Sequence, residues 1–467
     1  MTTPRSYDPR LFKMLTFHDA AANFKKGSDT PRAYLERCLD AIAKQEPAIK
    51  AFVVLNDANA RAAADASSAR WKAGTPLSAI DGMPVAIKDL LETRDMPTDF
   101  GCAAYKNNHT HRDNAAVWAL REAGAVILGK TVTAELGGSH PGPTVNPFDA
   151  ACTPGGSSSG SAAAIAAHMC PAALGTQVGG SVIRPAAYCG NIALKPTQGG
   201  INRGERQATS QSTTGVHAGC IEDMWQVAIE IAKRAGGDPG KLGLFGPATT
   251  PEAVKPQRLI VLESEGWAEL DAKSKEAFEA QMENLARAGV TLIRRKDNAW
   301  VEAFEQSIAD SNAVCNNITA WENRWYQAAL VEAHPDGVSE RLKGTVRRAQ
   351  AMRPDDYRAL LLKRAAAQQC HQALAPLADA VIMMSCPGPA PLWPGDKPGQ
   401  PLAPRPTGDS VFNTPSSMLH APCVTLPLLG VDGMPVGVQL MGQQHEDARM
   451  TSFARWILGN VPPVVIR

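Results

Sequence analysis

No excess of either charge marks this chain: 47 lysines and arginines stand against 46 aspartates and glutamates, a formal net charge of +1. Proteins that bind nucleic acid or anionic membrane surfaces carry a basic excess or dense basic clusters. Here basic residues gather only in short groups such as Arg347-Arg348, so neither partner is expected. Long apolar runs are also missing. None approaches the roughly 18 uninterrupted apolar residues of a membrane-spanning helix, and the opening MTTPRSYDPRLFKML has no apolar stretch of signal-peptide length. Cysteine motifs are absent too. Ten cysteines are scattered from Cys38 to Cys423, with no Cys-x-x-Cys pair and no histidine at zinc-ligand spacing. That argues against a structural zinc site or a disulfide framework and for reduced, buried thiols. The expectation is a cytoplasmic protein acting on a small molecule, and base rates for soluble enzymes favour a homodimer.

What is present is the composition of an ordinary globular chain, 44% hydrophobic and 20% charged over 467 residues. Residues 17–75 read as helices. In PRAYLERCLDAIAKQ (31–45) the side chains Tyr34, Leu35, Cys38, Leu39 and Ile42 share one face at helical spacing. Ser28 and Thr30 precede it as candidate caps, and Pro31 suits a first turn. A second helix, ANARAAADASSARWKAG, ends at Gly74. Short apolar runs then alternate with helical patterns: PVAIK (84–88), AGAVILGK (123–130), AALGTQVGGS (172–181), GNIALKP (190–196), RLIVLES (258–264), GVTLIRR (289–295), DAVIMMS (379–385), PCVTLPLL (422–429) and GVQLMG (437–442). This is the signature of an α/β fold around one large, mostly buried sheet. Between 265 and 375 helical patterns dominate, and Trp300, Trp321, Trp325 and Tyr326 lie there, as interhelix packing or as a pocket wall. Residues 387–408 are rich in proline and glycine and read as a long surface loop.

Three stretches carry chemistry. Gly155-Gly156-Ser157-Ser158-Ser159-Gly160-Ser161 has a linker's composition. Yet Thr153-Pro154 stiffens its entry, and the alanine-rich 162–167 run opens a helix behind it. A helix start of this kind presents free N–H groups to developing negative charge. Gly179-Gly180-Ser181 places a hydroxyl after two residues able to adopt positive φ and so to aim N–H groups into one concavity. A nucleophilic serine needs a base, and none of the ten histidines sits in a Ser/His/Asp context. The letters of Gly-x-Ser-x-Gly occur at 156–160, but no apolar strand precedes them. Lys88 ends an apolar strand, where burial favours the neutral amine; a solvated strand-end lysine is the alternative.

Taken in order, DGMPVAIKD (81–89), TPGGSSSGSAAA (153–164), GTQVGGSVIRPA (175–186) and the closing GMPVGVQLMGQQHEDARM (433–450) resemble the amidase signature family. The resemblance runs from about residue 20 to the end and is weakest across 240–375. It implies the amidase signature fold, a large central mixed β-sheet with helices on both faces (α/β/α). It also implies one domain over 1–467: N-terminal helices at 17–75, a catalytic core at 76–235, a variable pocket segment at 236–385 and closing strands and helix at 386–467. The family's triad maps onto Ser181 as nucleophile, Ser157 after a cis non-proline peptide bond as bridging serine, and Lys88 as general base. The backbone N–H groups of Val178, Gly179 and Gly180 map onto its oxyanion hole. No metal or organic cofactor is implied.

The implied activity is hydrolysis of amide C–N bonds through an acyl-enzyme, releasing a carboxylate and an amine or ammonia. Two departures bear on substrate. Gln177 stands where many members have an acid, and the arginine comes three positions after the serine. The resulting Gly-Thr-Gln-x-Gly-Gly-Ser-x-Ile-Arg-Pro is similar to a malonamidase-like branch, in which the matching arginine, here Arg184, recognises a substrate carboxylate. Arg184 and Gln177 are therefore candidate substrate contacts; the other reading of Arg184 is a tie between the loop and backbone carbonyls. A broad amidase, esterase or urethanase acting on aryl amides and carbamates is the alternative activity. The glutamine-hydrolysing subunit of an amidotransferase is a further one, against which Gln177 and the shifted arginine count.

Overall fold

The computed structural model describes residues 6–138, 140–205, 209–397 and 399–467. Among them, twelve strands form one sheet: β1 Phe52–Leu55, β2 Pro84–Lys88, β3 Val126–Thr131, β4 Ala172–Gln177, β5 Ile192–Lys195, β6 Thr213–Ala218, β7 Arg258–Val261, β8 Thr291–Ile293, β9 Ala380–Met384, β10 Cys423–Val431, β11 Met434–Met441 and β12 Val464–Ile466. Their spatial order is β1-β3-β2-β4-β6-β5-β10-β11-β9-β7-β8, with β12 against β10. Pairing is mixed. β2 is parallel to β3 and β4, whereas β4–β6, β5–β6, β5–β10 and β10–β11 are antiparallel.

The apolar runs are continuous because helices cover both faces of the sheet. Side chains alternate between those faces, as a strand's period requires. Val85, Ile87, Leu174, Ile382 and Met384 join one apolar cluster, with Trp225 and Phe278 from the helices Ile221–Ala235 and Ala272–Arg287. Their neighbours Ala86 and Ala173 pack instead with Leu35, Ala60 and Ala163 from the helices Pro31–Ile49, Asp57–Ala73 and Ser159–Ala166. Val381 and Met383 pack with Phe304 and Ile318 from Ala299–Ser307 and Ser311–Ala333.

The first long helix begins as expected. The Thr30 side chain accepts a hydrogen bond from the Ala33 N–H at 3.1 Å, with Pro31 in the first turn. The second ends at a left-handed Gly74. Residues 17–75 are not all helix, however. β1 lies between the two long helices, a four-residue edge strand too short and too exposed to show a buried apolar run. β6, TTGVHA, is buried along its whole length, yet threonine, glycine and histidine conceal it in the sequence. Its place between β4 and β5, not its composition, buries it.

The tryptophan-rich helices divide. Trp321 packs between helices, stacked on Tyr357 at 5.5 Å with the Arg324 guanidinium 3.6 Å over its ring. Trp300 and Trp325 are exposed. Among its described residues the 387–408 segment holds no helix or strand, only an isolated bridge between Leu392 and Cys152.

Candidate active site

Parallel neighbours end on the same edge of a sheet, and crevices form where such strands end. β2 and β4 are in register with Ile87 opposite Leu174. Lys88 and the turn after β4 are therefore brought together although they are far apart in the chain. The Gly/Ser loop enters the same place and opens the helix Ser159–Ala166.

The Lys88 Nζ lies 2.7 Å from Ser157 Oγ, 3.0 Å from Ser158 Oγ, 3.0 Å from Thr176 Oγ1 and 3.3 Å from the Thr176 carbonyl oxygen. The side chain is fully buried. Burial holds its pKa well below the ordinary lysine range, and the positive charge of Arg184 lowers it further. A neutral amine has two N–H donors and one lone pair. The carbonyl can only accept, so it takes one N–H; the three hydroxyls share the other donor and the lone pair. Asp89, the next residue, directs its carboxylate elsewhere, to Lys130 Nζ at 2.8 Å.

The peptide bond Gly156–Ser157 is cis. Gly155 has φ +83°, and a Cβ there would lie 2.6 Å from Pro185 Cα, so only glycine fits. Ser157 and Ser181 line one cavity of about 430 Å³ with Thr176, Val178, Gly179 and Gly180. The Ser158 N–H donates to the Ser181 carbonyl oxygen at 3.3 Å. Among the described residues no hydrogen bond joins the hydroxyls of Ser157 and Ser181.

Two expectations about the nucleophile turn are corrected. Neither Gly179 nor Gly180 takes a positive φ. Gly180 is needed for close approach instead, since a Cβ there would lie 2.5 Å from Asn413 Oδ1 and 2.8 Å from an Arg184 nitrogen. Gln177 is buried beneath the turn rather than placed for substrate. Its Oε1 accepts from the Val182 and Ile183 N–H groups at 2.9 and 3.0 Å, and its Nε2 donates to Ser417 Oγ. It braces the turn, at the position where many family members carry an acid.

Arg184 touches the cavity, but its hydrogen bonds go to the protein. Nε donates to the Thr407 carbonyl oxygen at 2.8 Å, and a terminal nitrogen donates to the Gly156 carbonyl oxygen at 2.7 Å and to Thr407 Oγ1 at 3.1 Å. It ties the 405–410 segment to the cis peptide, the second of the two readings of this residue. Beneath the lysine, His217 on β6 is fully buried, its pKa pushed down to about 3 by burial and then by the charge on Lys88.

The cavity has walls that no motif marked: Glu135, His140, Asn323, Arg341, Arg348, Arg405 and Asp409. Arg405 pairs with Asp409. Glu135 accepts from the Ser339 N–H at 2.8 Å and from its hydroxyl. The only available signal was the Pro/Gly loop itself, whose end folds back over the site. Among the described residues no group of three or more histidines, cysteines or carboxylates is placed to hold a metal ion, and no helix is long and apolar enough to cross a membrane.

Residues 33–450 match the family described as Amidase. Over 474 residues, 94% of this chain and 97% of the relative, the chain is 30% identical to a Glutamyl-tRNA(Gln) amidotransferase subunit of Koribacter versatilis. A shorter match to the corresponding subunit of Acidothermus cellulolyticus is 42% identical over 227 residues, 47% of this chain and 44% of the relative. A solved structure described as that of an amidase superimposes with a TM-score of 0.82 at 25% identity, covering 96% of this chain and all of that one.

Proposed function

This chain belongs to the amidase family, enzymes that hydrolyse carbon–nitrogen bonds, and we propose that it does so as a serine hydrolase with Ser181 as nucleophile, Ser157 as bridge and Lys88 as base. One observation carries the reading: a buried lysine amine 2.7 Å from the Ser157 hydroxyl, on the cavity that Ser181 also lines. A buried neutral lysine has the lone pair that a hydroxyl nucleophile requires.

In acylation the Ser181 oxygen attacks the amide carbonyl while its proton passes to Ser157, whose own proton passes to Lys88. The carbonyl oxygen becomes an anion facing the backbone N–H groups of Val178, Gly179 and Gly180. The ammonium then returns its proton through Ser157 to the leaving nitrogen, the C–N bond breaks, and an acyl-enzyme remains. Water repeats the attack and releases the carboxylate. Rotation of the Ser181 side chain closes the relay, a tightening that belongs to the substrate complex.

Ser181→Ala is expected to abolish amide hydrolysis with the circular dichroism spectrum unchanged, and a fluorophosphonate is expected to add once, at Ser181. Turnover near the parent rate in the variant, or labelling at another residue, would overturn the assignment.

A second reading is favoured by the full-length likeness to an amidotransferase subunit: the chain hydrolyses glutamine as one component of an assembly. Glutaminase activity that appears only with a copurified partner protein supports it. Hydrolysis of simple amides at full rate by the purified chain alone counts against it. Gln177 and Arg184 do not decide between the two, because their hydrogen bonds go to the protein, Gln177 to the nucleophile turn and Arg184 to Thr407 and Gly156.

A further inference from the structure

Beside the catalytic cavity lies a second, larger one of about 1060 Å³. Leu90, Leu136, Thr176, Ser212 and Tyr326 line both. These shared walls make the two cavities neighbouring arms around Thr176, the residue bonded to Lys88.

The arms differ in chemistry. In the second arm every carboxylate and guanidinium on the wall is already engaged among the described residues. Arg112 pairs with Glu92 and Glu205, Arg94 with Asp113, and Arg203 with Asp238; Glu322 accepts from Ser210 and Tyr357. The large apolar side chains left exposed there are aromatic. Trp118, from the helix Ala115–Glu122, and Trp325, from the helix Ser311–Ala333, are 45% and 74% exposed and line this same arm. Large apolar side chains exposed together in a concavity mark a binding surface.

The backbone agrees. Phe100 and Leu136 hold φ of +55° and +50°, a region that bulky residues seldom occupy. The Leu136 N–H donates to the Phe100 carbonyl oxygen at 2.8 Å, and both residues line the arm. Strain of this kind collects at ligand clamps. The first arm has the opposite character. Buried Arg341 Nε and Asn323 Oδ1 have no hydrogen-bond partner among the described residues, and Arg348 on its wall is a cation without an ion pair among them.

We propose that the second arm is a substrate subsite for an uncharged aryl or arylalkyl substituent. The amide hydrolysed then bears such a group on one side of its C–N bond and a compact, hydrogen-bonding group on the other. This rests on the serine-hydrolase reading only for where the bond is cut, at the wall the arms share.

The test uses the full chain carrying Ser181→Ala, so that binding is read without turnover. Three probes are titrated by calorimetry: 3-phenylpropanamide, with the ring on the acyl side, N-phenylpropanamide, with the ring on nitrogen, and propanamide. At least one aryl probe is expected to bind about tenfold tighter than propanamide or better, and the one that wins tells which side of the bond the arm receives. The double substitution Trp118→Ala and Trp325→Ala, at exposed positions, should pull that ratio back toward one, whereas Trp300→Ala, exposed but away from both arms, should leave it. Equal binding of all three probes, or an aryl advantage that survives the double substitution, overturns the subsite. Hydrolysis persisting in Ser181→Ala would instead overturn the nucleophile, and the affinity ranking would still judge the subsite.

Discussion

The base role proposed for Lys88 depends on a charged ammonium being poorly solvated where it sits, and two consequences can be measured at this one residue. An ammonium has no lone pair, so kcat/KM should fall as pH drops through the depressed Lys88 pKa. Burial is the larger cause of that depression, and the charge on Arg184 adds to it. Removing the charge by Arg184→Gln should raise the pKa and move the acid limb to higher pH, while Arg184→Lys should largely hold it in place. A limb that stays put in both variants would assign it to another group. The second consequence is thermodynamic. In the unfolded chain Lys88 titrates near its ordinary value of about 10.4. Between the depressed folded pKa and that value the unfolded state holds the extra proton, so this residue's contribution to stability rises with pH. Lys88→Met should remove that slope and raise the melting temperature at neutral pH while extinguishing hydrolysis. A variant less stable than the parent at neutral pH would mean that the amine's hydrogen bonds outweigh its desolvation.

At the scale of elements, the site depends on how β2 and β3 are held. Lys130 on β3 and Asp89 after β2 form a buried ion pair at 2.8 Å, and Lys130 also donates to Thr98 Oγ1 at 2.6 Å. Burial pushes both partners toward their neutral forms. The pair draws the Asp89 carboxylate away from Lys88 and pins the 97–99 segment to the sheet. Lys130→Met strands a buried carboxylate, a loss of about 3–5 kcal/mol, to be read from urea unfolding of the variant. A loss below about 1 kcal/mol, the range of exposed pairs, would show that the pair does little. The motif residues of the site were legible in such local stretches: PVAIK as a buried strand, Ser157 at a helix-opening loop, Thr30 as a cap. The roles of Gln177 and Arg184 were not. Each reaches a residue with no local relation to it, Ser417 and Thr407, and no periodicity records such a reach.

For the molecule as a whole, the order of strands matters more than their number. β10 and β11, from the last part of the chain, lie in the middle of the sheet, between β5 on one side and β9 on the other. Without them β9, β7 and β8 lose their attachment to the catalytic strands, and β5 becomes an open edge. A chain ending at residue 385 should therefore show no cooperative unfolding transition. A soluble, sharply melting 1–385 fragment would mean that the catalytic strands make a self-sufficient core. The 405–410 segment, which leads toward β10, reaches the site by a side-chain contact: Arg184 donates to both the Thr407 and the Gly156 carbonyl oxygens.

The sequence by itself determined the members of the family's motifs, most of the buried strands, the cap at Thr30 and the stop at Gly74, and the class of chemistry. All of these are written in short-range patterns of residue type, and a strand or a cap is stabilised by neighbours in the chain. Only the tertiary structure decided that β6 is buried, that Arg184 holds a cis peptide rather than a free guanidinium in the cavity, that the end of a proline-rich loop borders that cavity, and that two exposed tryptophans border the one beside it. Those outcomes depend on which distant segments the sheet order sets side by side, and that is settled by packing across the whole core rather than by any stretch of the chain.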